Sequence, residues 1–247
     1  MDRGAVKPFL LLSTRPETDA ADAEYASFLQ FGGLEAAELV RFRLEQAPMP
    51  ELDLEQYSGI FLGGSPFNSS EPEKSELQRR VEADLRRLLD QVVPRDYPFF
   101  GACYGVGTLG LHAGGVVDST YSEPVSAVEV RLTPEGRADP LLATMPDSFA
   151  AYVGHKEALS SLPPGAVLLA TADSCPVQMF RLGENLYATQ FHPELDEDAI
   201  VARIRVYANH GYFPPDTRDA VISSVRGAPV RSAHDLLSAF VRRYRRD

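Results

Sequence analysis

Apolar residues in the first hundred positions arrive in short runs rather than in long periodic stripes. "PFLLLST" (8–14), "ELVRFRLEQ" (38–46), "YSGIFLGG" (57–64) and "DYPFFGA" (96–102) are each bounded by Gly, Pro or charged residues, which predicts short strands, the first and last of them buried. Residues 71–92 follow a different rhythm. Val81, Leu85, Leu88 and Leu89 recur at three- and four-residue steps behind an acidic first turn, the pattern of an amphipathic helix. A second helix is predicted from about Tyr104. Strands alternating with helices over short links predict an α/β fold: a central, mostly parallel sheet flanked by helices.

The middle of the chain changes character. The stretches 125–132, 149–155, 166–171, 176–183 and 186–192 are strand-like with turns between them, so the sheet is expected to become mixed. From about Asp196 the pattern turns helical in two pieces, 196–210 and 232–245, separated by "GYFPPDTR". The expected organisation is a single three-layer domain over residues 1–205, with a helical C-terminal extension over 206–247 packed on or near it.

Composition narrows the function classes. Lys plus Arg is 24 against 35 for Asp plus Glu, a balance of 24 − 35 = −11 over 247 residues. That excess argues against a general nucleic-acid or anionic-membrane binder. The N-terminal run "FLLL" is too short for a secretory core or a membrane span. Two cysteines, Cys103 and Cys175, suit a reducing compartment, so a cytoplasmic location is expected. No ligand spacing, phosphate loop or dinucleotide fingerprint is visible, and no metal or cofactor is expected.

Three stretches carry candidate chemistry. In "FFGACYGVG" a strand runs into Gly-x-Cys-x-Gly and then a helix, the pattern of a nucleophile elbow. The helix N-terminus is expected to favour the Cys103 thiolate. On this stretch alone a buried structural thiol fits equally well. In "ATQFHPELD" residues two apart on an extended chain face the same side, so His192 can face a nucleophile while Glu194 fixes its tautomer. A lone His-x-Glu is more often a surface feature. "GIFLGGSP" closes a strand on a glycine pair, and the amides of Gly64 and Tyr104 can supply oxyanion donors; viewed alone it is a turn leaving the sheet. Cys175 has no base near it in sequence and reads as structural.

Taken together, "FLGGSP", "GACYGVG" and "ATQFHPE", in that order and at these separations, resemble the class I glutamine amidotransferase family over roughly residues 8 to 195. The segment over 120–142 resembles that of stand-alone members related to the glutaminase domain of GMP synthase. The resemblance implies a flavodoxin-like fold and a triad of Cys103 as nucleophile, His192 as acid and base, and Glu194 as orienter. It also implies an oxyanion hole from Gly64 and Tyr104, with Gly63 and Gly107 beside the substrate. "YVGHKEALSSLPPGAVLLATAD" resembles a family segment that shapes the glutamine pocket, making His155 a candidate pocket residue, although a solvated loop histidine fits as well. One departure stands out: the family elbow reads Cys-x-Gly-x-Gln, and Gly107 takes the place of the glutamine. A lost substrate hydrogen bond costs about 0.5–1.5 kcal/mol. The implied activity is hydrolysis of the glutamine side-chain amide through a thioester, with ammonia passed to a synthase subunit on a separate chain. A γ-glutamyl amide or peptide hydrolase with the same triad is an alternative, and a catalytically degenerate binding or regulatory homologue is another. The expected partner is a small molecule, with neither nucleic acid nor membrane.

Overall fold

A computed structural model describes residues 6–208 and 210–246. The first half runs β1 (Phe9–Ser13), α1 (Thr18–Gly32), β2 (Leu39–Arg43), β3 (Ile60–Leu62), α2 (Glu76–Val92), β4 (Phe99–Ala102) and α3 (Tyr104–His112). There follow β5 (Val116–Asp118), β6 (Glu123–Leu132), α4 (Pro134–Ala138), β7 (Ser148–His155), β8 (Ala158–Ser161), β9 (Val167–Thr171), β10 (Met179–Leu182) and β11 (Leu186–Thr189). Helices α5 (Glu197–Val206), α6 (Arg218–Val225) and α7 (Arg231–Tyr244) complete the described residues.

Nine strands form one mixed sheet in the order β2-β1-β3-β4-β11-β10-β9-β6-β7. The half from β2 to β11 is parallel, and the half from β11 to β7 is antiparallel. Alternation along each parallel strand sorts its side chains between two cores. Phe9, Leu11, Phe61 and Phe100 face one core, which α1 and α7 cover; Leu10, Leu12, Leu62 and Phe99 face the other, which α2 and α3 cover. This double burial is why the strands read as continuous apolar runs.

Several expected boundaries move. Residues 71–74 precede α2, because Ser75 caps it by accepting from the Gln78 N–H at 3.1 Å. The strand expected over 186–192 ends at Thr189; His192 forms an isolated bridge to Tyr152, and Pro193 and Glu194 turn away. The expected helix over 232–245 is α7, and Phe240 lies 5.2 Å from Phe61 and 5.5 Å from Phe100 between ring centres. Part of the C-terminal extension therefore fills the sheet's own core. No helix among the described residues is long and apolar enough to cross a membrane.

Candidate active site

The carboxyl ends of β1, β3, β4 and β11 meet along one edge of the parallel half, the edge where open α/β sheets place ligands. Cys103 sits there between β4 and α3 with φ 52° and ψ −87°, a conformation in which a side chain is strained by roughly 1–3 kcal/mol. The surroundings enforce it. The Cys103 N–H donates to the Thr189 carbonyl of β11 at 2.7 Å. A Cβ on Gly101 would lie 2.7 Å from the Cα of Gly105, so a glycine is needed at 101 for strand and helix to approach this closely.

His192 is fixed from both sides. Its N–H donates to the Tyr152 carbonyl at 2.9 Å, and its Nδ1 lies 2.7 Å from Glu194 Oε1. The turn at Pro193, rather than an extended chain, brings that carboxylate back to the ring. Behind the pair runs a buried ion network that the motifs did not reveal. Arg203 Nη1 lies 3.2 Å from Glu194 Oε1, its Nη2 lies 3.7 Å from Glu24 Oε1, and Glu24 pairs with Arg15 Nε at 2.9 Å. Arg15 Nη1 donates to the Tyr207 hydroxyl at 3.2 Å. A signal for this existed: Ala20, Ala21, Glu24 and Phe28 share the buried face of α1, and a carboxylate on an apolar stripe calls for a cationic partner.

Electrostatics set the protonation states. Burial disfavours charge on Glu194, but His192 and Arg203 hold its carboxyl well below the usual carboxylate range. Burial lowers the His192 pKa, with Arg203 and Arg15 adding to the effect and Glu194 opposing it. The imidazole is therefore neutral at pH 7. For Cys103 the expectation of a pre-formed thiolate does not hold: burial pushes the thiol up to about 12, and Arg15 only partly offsets this. Desolvation of the sulfur outweighs the nearby guanidiniums of Arg15 and Arg203.

The other sequence candidates fall around this centre. The Gly63 N–H donates to the Leu12 carbonyl at 3.1 Å, and a Cβ there would meet Glu24 Oε2 at 2.4 Å. The Gly64 N–H donates to Glu24 Oε1 at 3.2 Å rather than towards the sulfur. Tyr104 opens α3, so its N–H lacks an intrahelical acceptor. Gly107 does not leave an open gap: a Cβ there would meet Ser69 Oγ at 3.1 Å and Glu157 Oε1 at 3.6 Å. Glu157 in turn accepts from the Ser69 and Ser70 N–H groups at 2.5 and 2.7 Å. His155 is buried, not solvated; its Nδ1 contacts the Glu157 carbonyl at 2.9 Å and its Nε2 lies 2.7 Å from Glu123 Oε2.

Cys175 is fully buried, and burial pushes its thiol up to about 12. The fold does assemble a cluster that sequence spacing concealed, because Glu123, His155 and Cys175 offer ligand atoms within 4.8 Å of one another. Glu123 already accepts from Gln178 Nε2 at 2.7 Å and from the Ser174 hydroxyl, besides its contact with His155. Such a set can hold a metal only by giving up these hydrogen bonds.

Cys103 opens onto two chambers. The polar one, about 360 Å³, is lined by Tyr104, Gly107, His155, Lys156, Glu157 and Gln190 among others. The other, about 450 Å³, includes His192, Arg15 and Arg203 with apolar walls. Tyr212 borders both. It comes from the segment between α5 and α6, which Lys156 holds by donating to the His210 carbonyl at 2.8 Å and by lying 4.8 Å from the Tyr212 ring centre.

Fold and elbow define an α/β protein that gathers its reactive groups at the carboxyl edge of a parallel sheet around a strained cysteine. The family model for Glutamine amidotransferase class-I matches residues 33–200, and the chain belongs to that family. Its members are enzymes that act on the amide of glutamine. The GMP synthase [glutamine-hydrolyzing] of Bacillus mycoides (strain KBAB4) is 35% identical over 99 residues, covering 40% of this chain and 19% of that protein. The same enzyme of Bacillus cereus (strain B4264) is 33% identical over an equal span and share. This chain thus matches about a fifth of the length of these relatives. Among solved structures, a glutamine amidotransferase from Thermotoga maritima superposes with a TM-score of 0.75 at 18% identity, covering 96% of this chain and 98% of its own. One from Methylobacillus flagellatus gives 0.72 at 16% identity, covering 98% and 97%. At these identities the likeness is one of fold.

Proposed function

We infer that the protein hydrolyses the side-chain amide of a glutamine-type substrate, with Cys103 as nucleophile, His192 as acid and base, and Glu194 as orienter. The observation that carries this reading is the 2.7 Å contact between His192 Nδ1 and Glu194, which leaves Nε2 for the chamber it shares with Cys103. The polar chamber, lined by the opposite charges of Lys156 and Glu157, suits an amino-acid head.

Thiol and imidazole are both neutral at rest, so attack is coupled to proton transfer. His192 Nε2 takes the Cys103 proton as sulfur bonds to the amide carbon. Tyr104 N–H stabilises the oxyanion, joined by Gly64 N–H once that group turns from Glu24. Protonated His192 then gives its proton to the departing nitrogen, the C–N bond breaks, and ammonia leaves a γ-glutamyl thioester. Water attacks the thioester, His192 takes one of its protons, and glutamate departs as the thiol is restored. The likeness to the glutaminase part of GMP synthase supports delivery of ammonia to a separate synthase subunit, and a reducing cytoplasm keeps Cys103 competent. Glutamate release from glutamine, compared between the protein and Cys103→Ala, tests the reading. Loss of release in the variant is expected; equal release from both would discard it. A substrate-dependent role that survives Cys103→Ala would instead favour a regulatory binder.

A further inference from the structure

The two chambers differ in which reacting group they contain, and this assigns them roles. A general acid must reach the leaving nitrogen, so the leaving amine projects into the chamber that holds His192. That is the larger one; the polar chamber holds the elbow residues Tyr104 and Gly107 but not His192. Ammonia needs no such space. The His192 chamber, about 450 Å³ including its opening to solvent, is walled by Val125, Ile200, Ile204 and Phe213. An apolar pocket with a few fixed polar groups is the build of a ligand site.

Its two charged side chains are both guanidiniums, each paired with a buried carboxylate. Arg15 and Arg203 line the chamber, whereas their partners Glu24 and Glu194 do not. Arg15 spends Nε on Glu24 and Nη1 on Tyr207. Its Nη2 reaches 2.4 Å from the place a Gly64 Cβ would occupy, and His192 Cε1 lies 3.0 Å from that place. A buried guanidinium edge therefore stands beside the reacting centre, in the wall of a largely apolar chamber. That arrangement accepts a carboxylate next to an apolar group and rejects an ammonium.

We propose that the His192 chamber is a leaving-group subsite, and that the substrate is a γ-glutamyl dipeptide whose second residue is apolar. The proposal rests on the hydrolase reading above and sharpens its substrate: the leaving group is then an amino acid in place of ammonia, so no ammonia is passed to a synthase. The bond broken is the γ-glutamyl amide, the Cys103 proton travels through His192 to the amino group of the departing residue, and water releases glutamate from the thioester. Tyr212, at the border of both chambers, then separates the glutamyl head from the departing residue.

The test is kcat/KM of the full chain for γ-glutamylphenylalanine, glutamine and γ-glutamylputrescine, paired with calorimetric binding of the same compounds to Cys103→Ala. A preference of at least tenfold for γ-glutamylphenylalanine over both others is expected. Ile204→Trp, which fills the chamber, should lower that preference at least tenfold. Phe213→Ala, at a half-buried loop position, should lower it severalfold. Turnover that favours glutamine or γ-glutamylputrescine, or a preference indifferent to both variants, would overturn the subsite and leave the hydrolase reading intact. No turnover of any compound, with tenfold tighter binding of γ-glutamylphenylalanine than of glutamine to Cys103→Ala, would reject the hydrolase and retain the subsite. Equal or undetectable binding would reject both.

Discussion

Replacing Glu194 with Gln isolates the charge that the proposed triad depends on. Glu194 Oε1 faces His192 Nδ1 at 2.7 Å and Arg203 Nη1 at 3.2 Å, while Oε2 has no hydrogen-bond partner. A glutamine carbonyl can keep the first two contacts, with its NH₂ turned to the empty side. Shape survives and the charge goes. During attack His192 becomes an imidazolium, and at about 4 Å between charge centres with an effective dielectric near 20 the lost attraction is about 4 kcal/mol, close to 10³-fold in rate. Glu194 is also the strongest group favouring protonation of His192, so its loss lowers that pKa further. Glutamate release measured from about pH 5 to 9 should show kcat down by 10²- to 10⁴-fold. KM should change little, and the acidic limb, already below the ordinary histidine value, should move to lower pH. An unchanged kcat, or a limb that moves to higher pH, would refute the assignment of His192 and Glu194 as a working pair.

Other expectations follow from the same geometry. Because burial pushes the Cys103 thiol up to about 12, its alkylation by iodoacetamide should rise continuously through about pH 9; a plateau from neutral pH would show a pre-formed thiolate. Gly101→Ala sets a methyl 2.7 Å from the Gly105 Cα, so β4 and α3 must part. A loss of about 1–3 kcal/mol in denaturant unfolding, with about 100-fold slower turnover from a displaced elbow, is expected; a variant as stable and active as the parent would contradict the close approach. Glu123→Gln weakens the carboxylate contact of His155, which holds the Glu157 carbonyl. It should raise KM and cost about 1–3 kcal/mol, and unchanged values would show that this network does not shape the polar chamber. Dialysis against a chelator should leave activity unchanged, since hydrogen bonds already engage Glu123 and His155; loss restored by zinc would make the cluster a metal site.

What the chain discloses follows from physical range. Strands β1, β3 and β4 and helix α2 are legible because burial of one or both faces imposes a periodicity on nearby residues. The elbow is legible because a tight turn needs glycines at fixed offsets. Helix α1 is hard to read because Glu24 interrupts its apolar face, and that carboxylate is there for partners far away in sequence: Arg15, Arg203 and the Gly64 amide. Tyr207, Tyr212 and Phe213 escape for the same reason, since only the return of the segment after α5 over Cys103 gives them a role. The thiol of Cys103 is misjudged from sequence because desolvation depends on everything packed around it. What surrounds Gly107 is also hidden, because the atoms a side chain there would meet belong to Ser69 and Glu157, each distant in the chain.

The most direct measurement is peptide mass spectrometry of protein mixed with glutamine, or with γ-glutamylphenylalanine, and quenched in acid during turnover. A γ-glutamyl adduct on the peptide carrying Cys103, none on that carrying Cys175, and none in Cys103→Ala is the expected result. Steady glutamate release with no adduct on Cys103, or with the adduct elsewhere, would contradict nucleophilic catalysis at the elbow.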